Sequence, residues 1–168
     1  NIIVTGVGKG LGYDLLHRII SYDGFVYGIT RSKSDLKKFK NLKKCKVFLG
    51  DVQDTNVFKK IINESKIDKR VINGLVNNAG ERQRIKFSDI SKKKLLDLFE
   101  INFFSIFKSM QLYANYLKTK KIQGSIVNIG SIVGTNGFSE LSGYASTKTA
   151  LVGLTKSFAV EMAKNNIR

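Results

Sequence analysis

The sequence has little of several residue types on which protein chemistry often depends. It contains one cysteine, one histidine and no proline among 168 residues. The single cysteine, Cys45, excludes an internal disulfide, and the single histidine, His17, leaves too few nitrogen and sulfur ligands for a zinc site. A serine hydrolase is also disfavoured, because its nucleophile needs a nearby histidine base and His17 is far along the chain from Ser131.

Long hydrophobic runs, repeats and low-complexity tracts are absent as well. No apolar run approaches the roughly 18 residues that a membrane-spanning helix needs, and the first residues do not resemble a signal peptide. These features predict a cytoplasmic protein with no membrane partner. With 42% hydrophobic residues, the chain is expected to form one globular domain over residues 1–168.

Acidic residues are scarce beside basic ones. The 13 acidic and 29 basic residues give a formal net charge of +16, which raises the hypothesis of nucleic-acid binding. The lysines, however, are scattered over predicted helix exteriors, without an aromatic-interleaved basic stripe or a recognition module. We therefore expect a lysine-rich solvated surface and no nucleic-acid partner. A polyanionic ligand or partner is the alternative, and a steep salt dependence of binding would favour it.

Short apolar segments alternate with amphipathic ones along the whole chain. Strands are predicted to end near residues 4, 29, 49, 76 and 129, and one long helix is predicted over residues 91–118. This alternation is typical of an α/β fold with a doubly wound parallel sheet and helices on both faces, in three layers. Ligands of such folds bind at the carboxyl ends of the strands.

A glycine-rich turn follows the first predicted strand, in the segment T-G-V-G-K-G-L-G at residues 5–12. Glycines let the backbone approach a phosphate closely, and the following helix aims its first amides at the negative charge. The segment is not a P-loop, because Gly10 follows Lys9 where a magnesium-binding serine or threonine would stand. We predict a dinucleotide site. A glycine turn that only connects two elements is the alternative.

The end of the second predicted strand bears on the choice of dinucleotide. An acidic residue there accepts hydrogen bonds from a ribose 2′-hydroxyl, whereas an arginine accommodates a 2′-phosphate. The sequence places Thr30, Arg31 and Ser32 there and no acid. Together with Lys9, Arg31 favours NADP over NAD, unless both merely belong to the basic surface. Asp51, after the third strand, is placed to meet an adenine amino group.

A tyrosine and a lysine four residues apart open the last predicted helix. Tyr144 and Lys148 therefore share a helix face. A cation beside a phenol favours the phenolate and brings its acid–base chemistry toward neutral pH. Ser131, at the end of the preceding strand, can add a hydroxyl, and Asn102 places an amide among bulky apolar residues. An ordinary helix start and a structural amide are the alternatives.

Taken together, these motifs resemble the short-chain dehydrogenase/reductase family, over essentially the whole chain. The match also includes Asp51-Val52 and the N-N-A-G segment at residues 77–80. The resemblance implies a Rossmann-like fold and a tetrad of Asn102, Ser131, Tyr144 and Lys148. In this tetrad Tyr144 is the general acid and Ser131 polarises the carbonyl. Lys148 assists the phenol and binds the nicotinamide ribose, and Asn102 holds a water of a proton relay.

The same resemblance completes the expected NADP(H) site. No metal is expected. The expected cofactor-binding residues are Thr5, Gly6, Gly8, Lys9, Gly10, Leu11, Gly12, Thr30, Arg31, Ser32, Asp51, Val52, Asn78, Ala79, Gly80, Tyr144 and Lys148.

The function implied is NADPH-dependent reduction of a ketone to an alcohol, similar to that of the 3-oxoacyl-[acyl-carrier-protein] reductase-like branch. A sugar or another small alcohol or ketone is an alternative substrate, and a non-catalytic NADP-binding sensor on the same fold is an alternative function. The resemblance also implies a homodimer or homotetramer. Because the family continues into a further strand, a P-G motif and a substrate-covering segment, we expect this chain to be C-terminally truncated.

Overall fold

The computed structural model describes residues 1–168 and contains one five-stranded parallel sheet in the order β3-β2-β1-β4-β5. The strands are β1 (Ile2–Thr5), β2 (Val26–Thr30), β3 (Cys45–Leu49), β4 (Gly74–Asn77) and β5 (Ser125–Asn128). The chain starts in the middle of the sheet, moves outward to β3, and then crosses back to β4 on the other side of β1. This reversal makes the carboxyl ends of β1 and β4 a topological switch point, where open α/β sheets bind ligands.

Six α-helices connect or follow these strands. They are α1 (Gly10–Ser21), α2 (Lys33–Phe39), α3 (Thr55–Ile67), α4 (Lys92–Phe99), α5 (Ser105–Lys120) and α6 (Ser142–Met162). Asp54 caps α3, because its carboxylate accepts a hydrogen bond from the amide of Asn56. Such a cap satisfies one of the amides that a helix start leaves free.

Side chains of each strand alternate between two hydrophobic cores, one on each face of the sheet. Ile3 and Leu75 belong to the larger core, which packs against α3 and α5. Val4 and Val76, one residue further along each strand, belong to the other core, which packs against α1 and α2. Because both faces are covered, the strands are almost continuously hydrophobic, as parallel strands are. The predicted three-layer, Rossmann-like architecture is confirmed.

The helix predicted over residues 91–118 is interrupted. A π-helical turn (Glu100–Phe104) separates α4 from α5. Such a turn inserts one extra residue into the helix and is frequent at functional sites. Every residue around it is compatible with an α-helix, so the sequence alone did not indicate the interruption. Its consequence is local: Asn102 lies inside the turn and is fully buried.

The outer edge of β5 is only partly covered. Ile167 forms a single parallel bridge with Gly124 just before β5. Val127 of β5 points to the face that carries α1 and α2 and is 51% exposed. None of the helices combines the length and the apolar character needed to cross a membrane.

Candidate functional site

A cleft of about 760 Å³ opens at the carboxyl ends of β1, β2, β3 and β4. Its walls come from four successive strand ends and the start of α1. The lining residues are Gly6, Gly8, Lys9, Gly10, Leu11, Gly12, Ile29, Thr30, Arg31, Ser32, Asp35, Gly50, Val52, Asn78, Ala79, Gly80 and Ile101. Most of the residues expected to bind a cofactor are therefore brought together. The exceptions are Thr5, Asp51, Tyr144 and Lys148.

The glycine turn is shaped by close backbone approach. Gly6 and Gly10 have positive φ angles of 73° and 56°, which side chains with a Cβ rarely adopt. A Cβ on Gly12 would overlap both the carbonyl oxygen of Gly6 and the side-chain amide of Asn78. No side chain caps the first amides of α1, so these donors remain available at the cleft. Free amides at a helix start suit an anionic group such as a pyrophosphate.

Thr5 supports the cleft from behind instead of lining it. Its hydroxyl oxygen accepts hydrogen bonds from the backbone amides of Asn78 at 3.0 Å and Ala79 at 2.9 Å. The Asn78 side chain returns a bond of 2.9 Å to the carbonyl of Thr5. These bonds join the end of β1 to the loop after β4. Thr5 is only 2% exposed, which leaves little of its surface for contact with a cofactor. Its direct contact with a cofactor remains a prediction.

The two charged residues expected near the adenosine end face each other. Arg31 Nη1 lies 3.8 Å from Asp51 Oδ2, and both side chains are partly exposed. The other oxygen of Asp51 accepts a bond of 2.9 Å from the backbone amide of Gln53. Asp51 does not line the cleft, although its neighbours Gly50 and Val52 do. The contact of Asp51 with an adenine amino group thus remains a prediction.

The structure adds one charged residue that the sequence did not indicate. Asp35, in the first turn of α2, reaches back into the cleft, where its carboxylate accepts a bond of 3.2 Å from the hydroxyl of Thr30. The signal was the short spacing between Thr30 and Asp35, which brings a residue of the first turn of α2 back over the strand end.

Lys148 is buried beside Tyr144. Only 5% of Lys148 is exposed, and its Nζ lies 5.8 Å from the centroid of the Tyr144 ring. The ammonium donates a hydrogen bond of 2.6 Å to the carbonyl of Ile129, directly after β5. Burial lowers the pKa of the Lys148 ammonium, because desolvation disfavours its charged form. The predicted pair is therefore brought together, and the end of β5 holds its cation in place.

Ser131 begins a short 3₁₀ turn (Ile132–Gly134) that wraps around Lys148. Its hydroxyl oxygen accepts a long bond of 3.4 Å from the amide of Val133. The hydroxyl of Thr149 donates to the carbonyl of Gly134 at 2.8 Å and fixes the turn against α6. Ser131 and Tyr144 form no hydrogen bond with each other. The Ser131 hydroxyl accepts one hydrogen bond and donates none to the protein. Its proton is therefore available to a ligand.

Asn102 joins the loop after β4 to α6 through side-chain hydrogen bonds. Its side-chain oxygen accepts a bond of 2.8 Å from the amide of Glu81, and its nitrogen donates to the Glu81 carbonyl at 2.8 Å. The second amide hydrogen points to the hydroxyl of Thr147 at 3.2 Å. Only one lone pair of the oxygen is left for any other partner. The alternative of a structural amide thus has direct support, and holding a relay water remains a prediction.

A switch-point cleft with a glycine turn, next to a buried lysine and a tyrosine, defines a Rossmann-like domain with a candidate catalytic cluster at the carboxyl edge of its sheet. The family model described as short chain dehydrogenase matches residues 1–168. The chain belongs to this family of oxidoreductases, which confirms the resemblance.

Relatives that are named for different activities are similar to this chain in sequence. Carbonyl reductase (NADPH) 2 of Sus scrofa is 32% identical over 176 residues, a match that covers 99% of this chain and 67% of the relative. A 3-oxoacyl-[acyl-carrier-protein] reductase of Haemophilus influenzae is 28% identical over 173 residues, covering 98% of this chain and 69% of the relative. The chain therefore spans about two-thirds of the length of these curated relatives.

Solved structures with the same fold carry either nicotinamide cofactor. ElxO with NADP bound has a TM-score of 0.90 and 29% identity, covering 100% of this chain and 70% of that one. A 4-hydroxyisoleucine dehydrogenase complexed with NADH also has a TM-score of 0.90, with 26% identity, and the match covers 99% of this chain and 69% of that one.

Proposed function

We propose that the protein is a nicotinamide-dependent oxidoreductase that uses NADPH to reduce a ketone to an alcohol, with Tyr144 as the general acid. The observation that carries this proposal is the buried Lys148 beside Tyr144, next to a cleft of dinucleotide size. A buried cation costs folding free energy unless it is well bonded. Because Lys148 is buried beside Tyr144, the only phenol of the cluster, we infer that its role is to assist the chemistry of that phenol.

The cleft fits a nicotinamide dinucleotide. The free amides at the start of α1 and the close approach at Gly12 suit the pyrophosphate. Lys9 and Arg31 line the opposite, adenosine end and supply positive charge for a 2′-phosphate, which supports NADP over NAD. Lys148 is the expected partner of the nicotinamide ribose. The names of relatives and structural neighbours include both cofactors, so the preference for NADP rests on these basic residues.

In the proposed chemistry, one proton is transferred to the substrate, and four side chains have different roles in that transfer. Bound NADPH supplies a hydride to the carbonyl carbon. The Tyr144 hydroxyl gives its proton to the carbonyl oxygen, which Ser131 polarises through its free hydroxyl proton. Lys148, whose Nζ lies 5.8 Å from the centroid of the Tyr144 ring, is placed to stabilise the phenolate left on Tyr144, because a neighbouring cation favours the charged form of a phenol. Asn102 positions the loop that carries Gly80 and Glu81 and contributes to returning a proton from solvent.

The proposed substrate is a ketone of the 3-oxoacyl-thioester type, free or attached to an acyl carrier. The segment 132–143 mixes apolar and small polar residues, which suits such a substrate, and a 3-oxoacyl reductase is among the relatives. A sugar or another small alcohol is the second candidate, supported by an L-xylulose reductase from Homo sapiens among the relatives. The positive surface is compatible with an acidic carrier protein.

We also propose that the protein forms a homodimer or homotetramer. Phe103 and Phe104 of the π turn and Phe107 of α5 form a cluster of aromatic contacts, and Phe104 and Phe107 are 39% and 38% exposed. Nearby Leu96 of α4 is 51% exposed. Exposed aromatic clusters of this kind mark protein interfaces. A cytoplasmic location also remains a prediction.

The proposal is tested by titrating the purified chain with NADPH and with NADH while following nicotinamide fluorescence. We expect the unaltered chain to bind NADPH and Arg31→Ala to lose about tenfold in NADPH affinity, or about 1.4 kcal/mol, with NADH little changed. Binding of neither cofactor, including by a chain extended at its C-terminus, would contradict the proposal. Tyr144→Phe separates the enzyme from the sensor: it should abolish ketone reduction by the extended chain while leaving NADPH binding in place.

A further inference from the structure

A carboxylate lies where the fold distinguishes the two cofactors. Asp35 belongs to α2, yet it is bonded to the hydroxyl of Thr30, the last residue of β2. The side chain is 18% exposed. A Cβ on Gly8 would overlap the same carboxylate oxygen, so Asp35 also touches the glycine turn. In dinucleotide folds, this end of the second strand contacts the adenosine ribose.

Lys38 is bonded to this carboxylate. Its ammonium donates a hydrogen bond of 2.6 Å to Asp35 Oδ1 and one of 2.7 Å to the carbonyl of Gly8. The bond from Lys38 is the largest cause that lowers the pKa of Asp35, so the carboxylate is charged at neutral pH. Lys38 therefore both neutralises Asp35 and ties α2 to the glycine turn.

The charges at this end of the cleft are closely balanced. Lys9, Arg31 and Lys38 are cationic, and Asp35 and Asp51 are anionic, with Arg31 only 3.8 Å from Asp51. A carboxylate accepts a hydrogen bond from a 2′-hydroxyl but repels a 2′-phosphate. Without Lys38, the two remaining cations would face two carboxylates, and the excess positive charge available to a phosphate would disappear.

We propose that Lys38 sets the cofactor choice of this cleft by cancelling the charge of Asp35. The inference rests on the proposed function, because it concerns selection between NADPH and NADH. While Lys38 is bonded to Asp35, a 2′-phosphate is accepted beside the carboxylate. When Lys38 is removed, Asp35 is free to bind a 2′-hydroxyl and to repel the phosphate. Asp35 is the residue that distinguishes a ribose 2′-hydroxyl from a 2′-phosphate. Lys38 is a positioning residue that acts through Asp35.

The first test compares Lys38→Met with Lys37→Met. Lys37 is exposed on the same helix and forms no ion pair, so its replacement removes the same formal charge without touching Asp35. Dissociation constants for NADPH and NADH are measured by nicotinamide fluorescence at one fixed, physiological ionic strength, where surface charges are screened. We expect Lys38→Met to shift the ratio of the two constants about tenfold toward NADH. The Lys37→Met variant should shift the ratio less than about twofold, as screened surface charges do.

A second variant shows whether Lys38 acts through Asp35 or binds the phosphate itself. Adding Asp35→Asn to Lys38→Met removes the carboxylate that Lys38 neutralises. The double variant should recover the NADPH preference of the unaltered chain if the proposal is right. If it remains as NADH-selective as Lys38→Met alone, Lys38 binds the phosphate directly and the proposal is wrong. The single variant Asp35→Asn should leave NADH binding nearly unchanged, because Lys38 already occupies the carboxylate, and should leave NADPH binding intact or stronger.

The outcomes separate this inference from the proposed function. If the unaltered chain binds NADPH and the ratio in Lys38→Met equals that in Lys37→Met, only the role of Lys38 is refuted. If the unaltered chain and its C-terminal extension bind neither cofactor, both proposals are refuted. Far-UV circular dichroism of each variant checks that loss of the bond to Gly8 has not unfolded the protein. A loss of affinity that is equal for the two cofactors leaves the ratio unchanged and counts against the proposal.

Discussion

Replacing Thr5 by valine tests whether one buried hydroxyl holds the cleft together. The Thr5 oxygen accepts two backbone hydrogen bonds, from Asn78 and Ala79, across the gap between β1 and the loop after β4. Valine has nearly the same shape but no acceptor. The variant therefore leaves two amides without their partner while the hydrophobic packing around residue 5 stays almost the same.

The expected loss of stability follows from these two bonds. Each buried donor left without an acceptor costs about 1–3 kcal/mol. Because both amides border the cleft, water can reach them and offset part of this cost. We expect Thr5→Val to lower the free energy of unfolding by about 2–4 kcal/mol in total. That is a large part of the stability of a typical domain, about 5–15 kcal/mol, but it leaves the protein folded.

Urea denaturation followed by far-UV circular dichroism measures this loss, with the slope of the unfolding curve as a check on two-state behaviour. Thr5→Ser keeps the acceptor and should retain most of the stability. Thr119→Val, on the exposed surface of α5, should change the free energy of unfolding by less than about 0.5 kcal/mol. If Thr5→Val is no less stable than Thr119→Val, the hydroxyl does not join β1 to the loop and the reasoning is wrong.

Two further predictions concern backbone approach and burial. Gly12→Ala should prevent NADPH binding and destabilise the fold, because the new Cβ overlaps the carbonyl of Gly6. The control Gly153→Ala lies in open space on α6 and should stabilise the fold by about 0.5–1 kcal/mol, as measured by thermal unfolding. Burial lowers the folded-state pKa of Lys148, so the unfolded chain binds more protons between the folded and unfolded pKa values. The stability of the unaltered chain relative to Lys148→Met should therefore rise with pH over that interval, which ends at the ordinary lysine pKa. Urea denaturation at several pH values measures this difference, and a difference that is flat or falls would contradict the assignment.

The elements that the sequence could predict are those with local signals. Hydrophobic periodicity identified all five strands, and the glycine spacing identified the turn between β1 and α1, because both depend only on residues that are adjacent in the chain. The side-chain pair Tyr144 and Lys148 was predictable for the same reason, since one helical turn separates them.

The features that could not be predicted depend on contacts between distant residues. Asp35 is the only acidic residue of α2 and follows Thr30 closely, but it lines the cleft because α2 also folds back against Gly8, which lies far earlier in the chain. The π turn around Asn102 is similar. Its extra residue is stabilised by bonds to Glu81 and Thr147, which lie 21 and 45 positions away in the sequence.

The loop from Asn78 to Glu81, directly after β4, borders both the cleft and the side chains of Asn102 and Lys148. Thr5 holds the start of this loop through Asn78 and Ala79, and Asn102 holds its end through both backbone groups of Glu81. Gly80 lies between these anchors, where a Cβ would come within 3.1 Å of the Asn102 side chain and 3.9 Å of Lys148 Nζ. A loop fixed at both ends over so few residues cannot move at one anchor alone. Disturbance of either anchor should consequently change cofactor affinity and the geometry around Lys148 together.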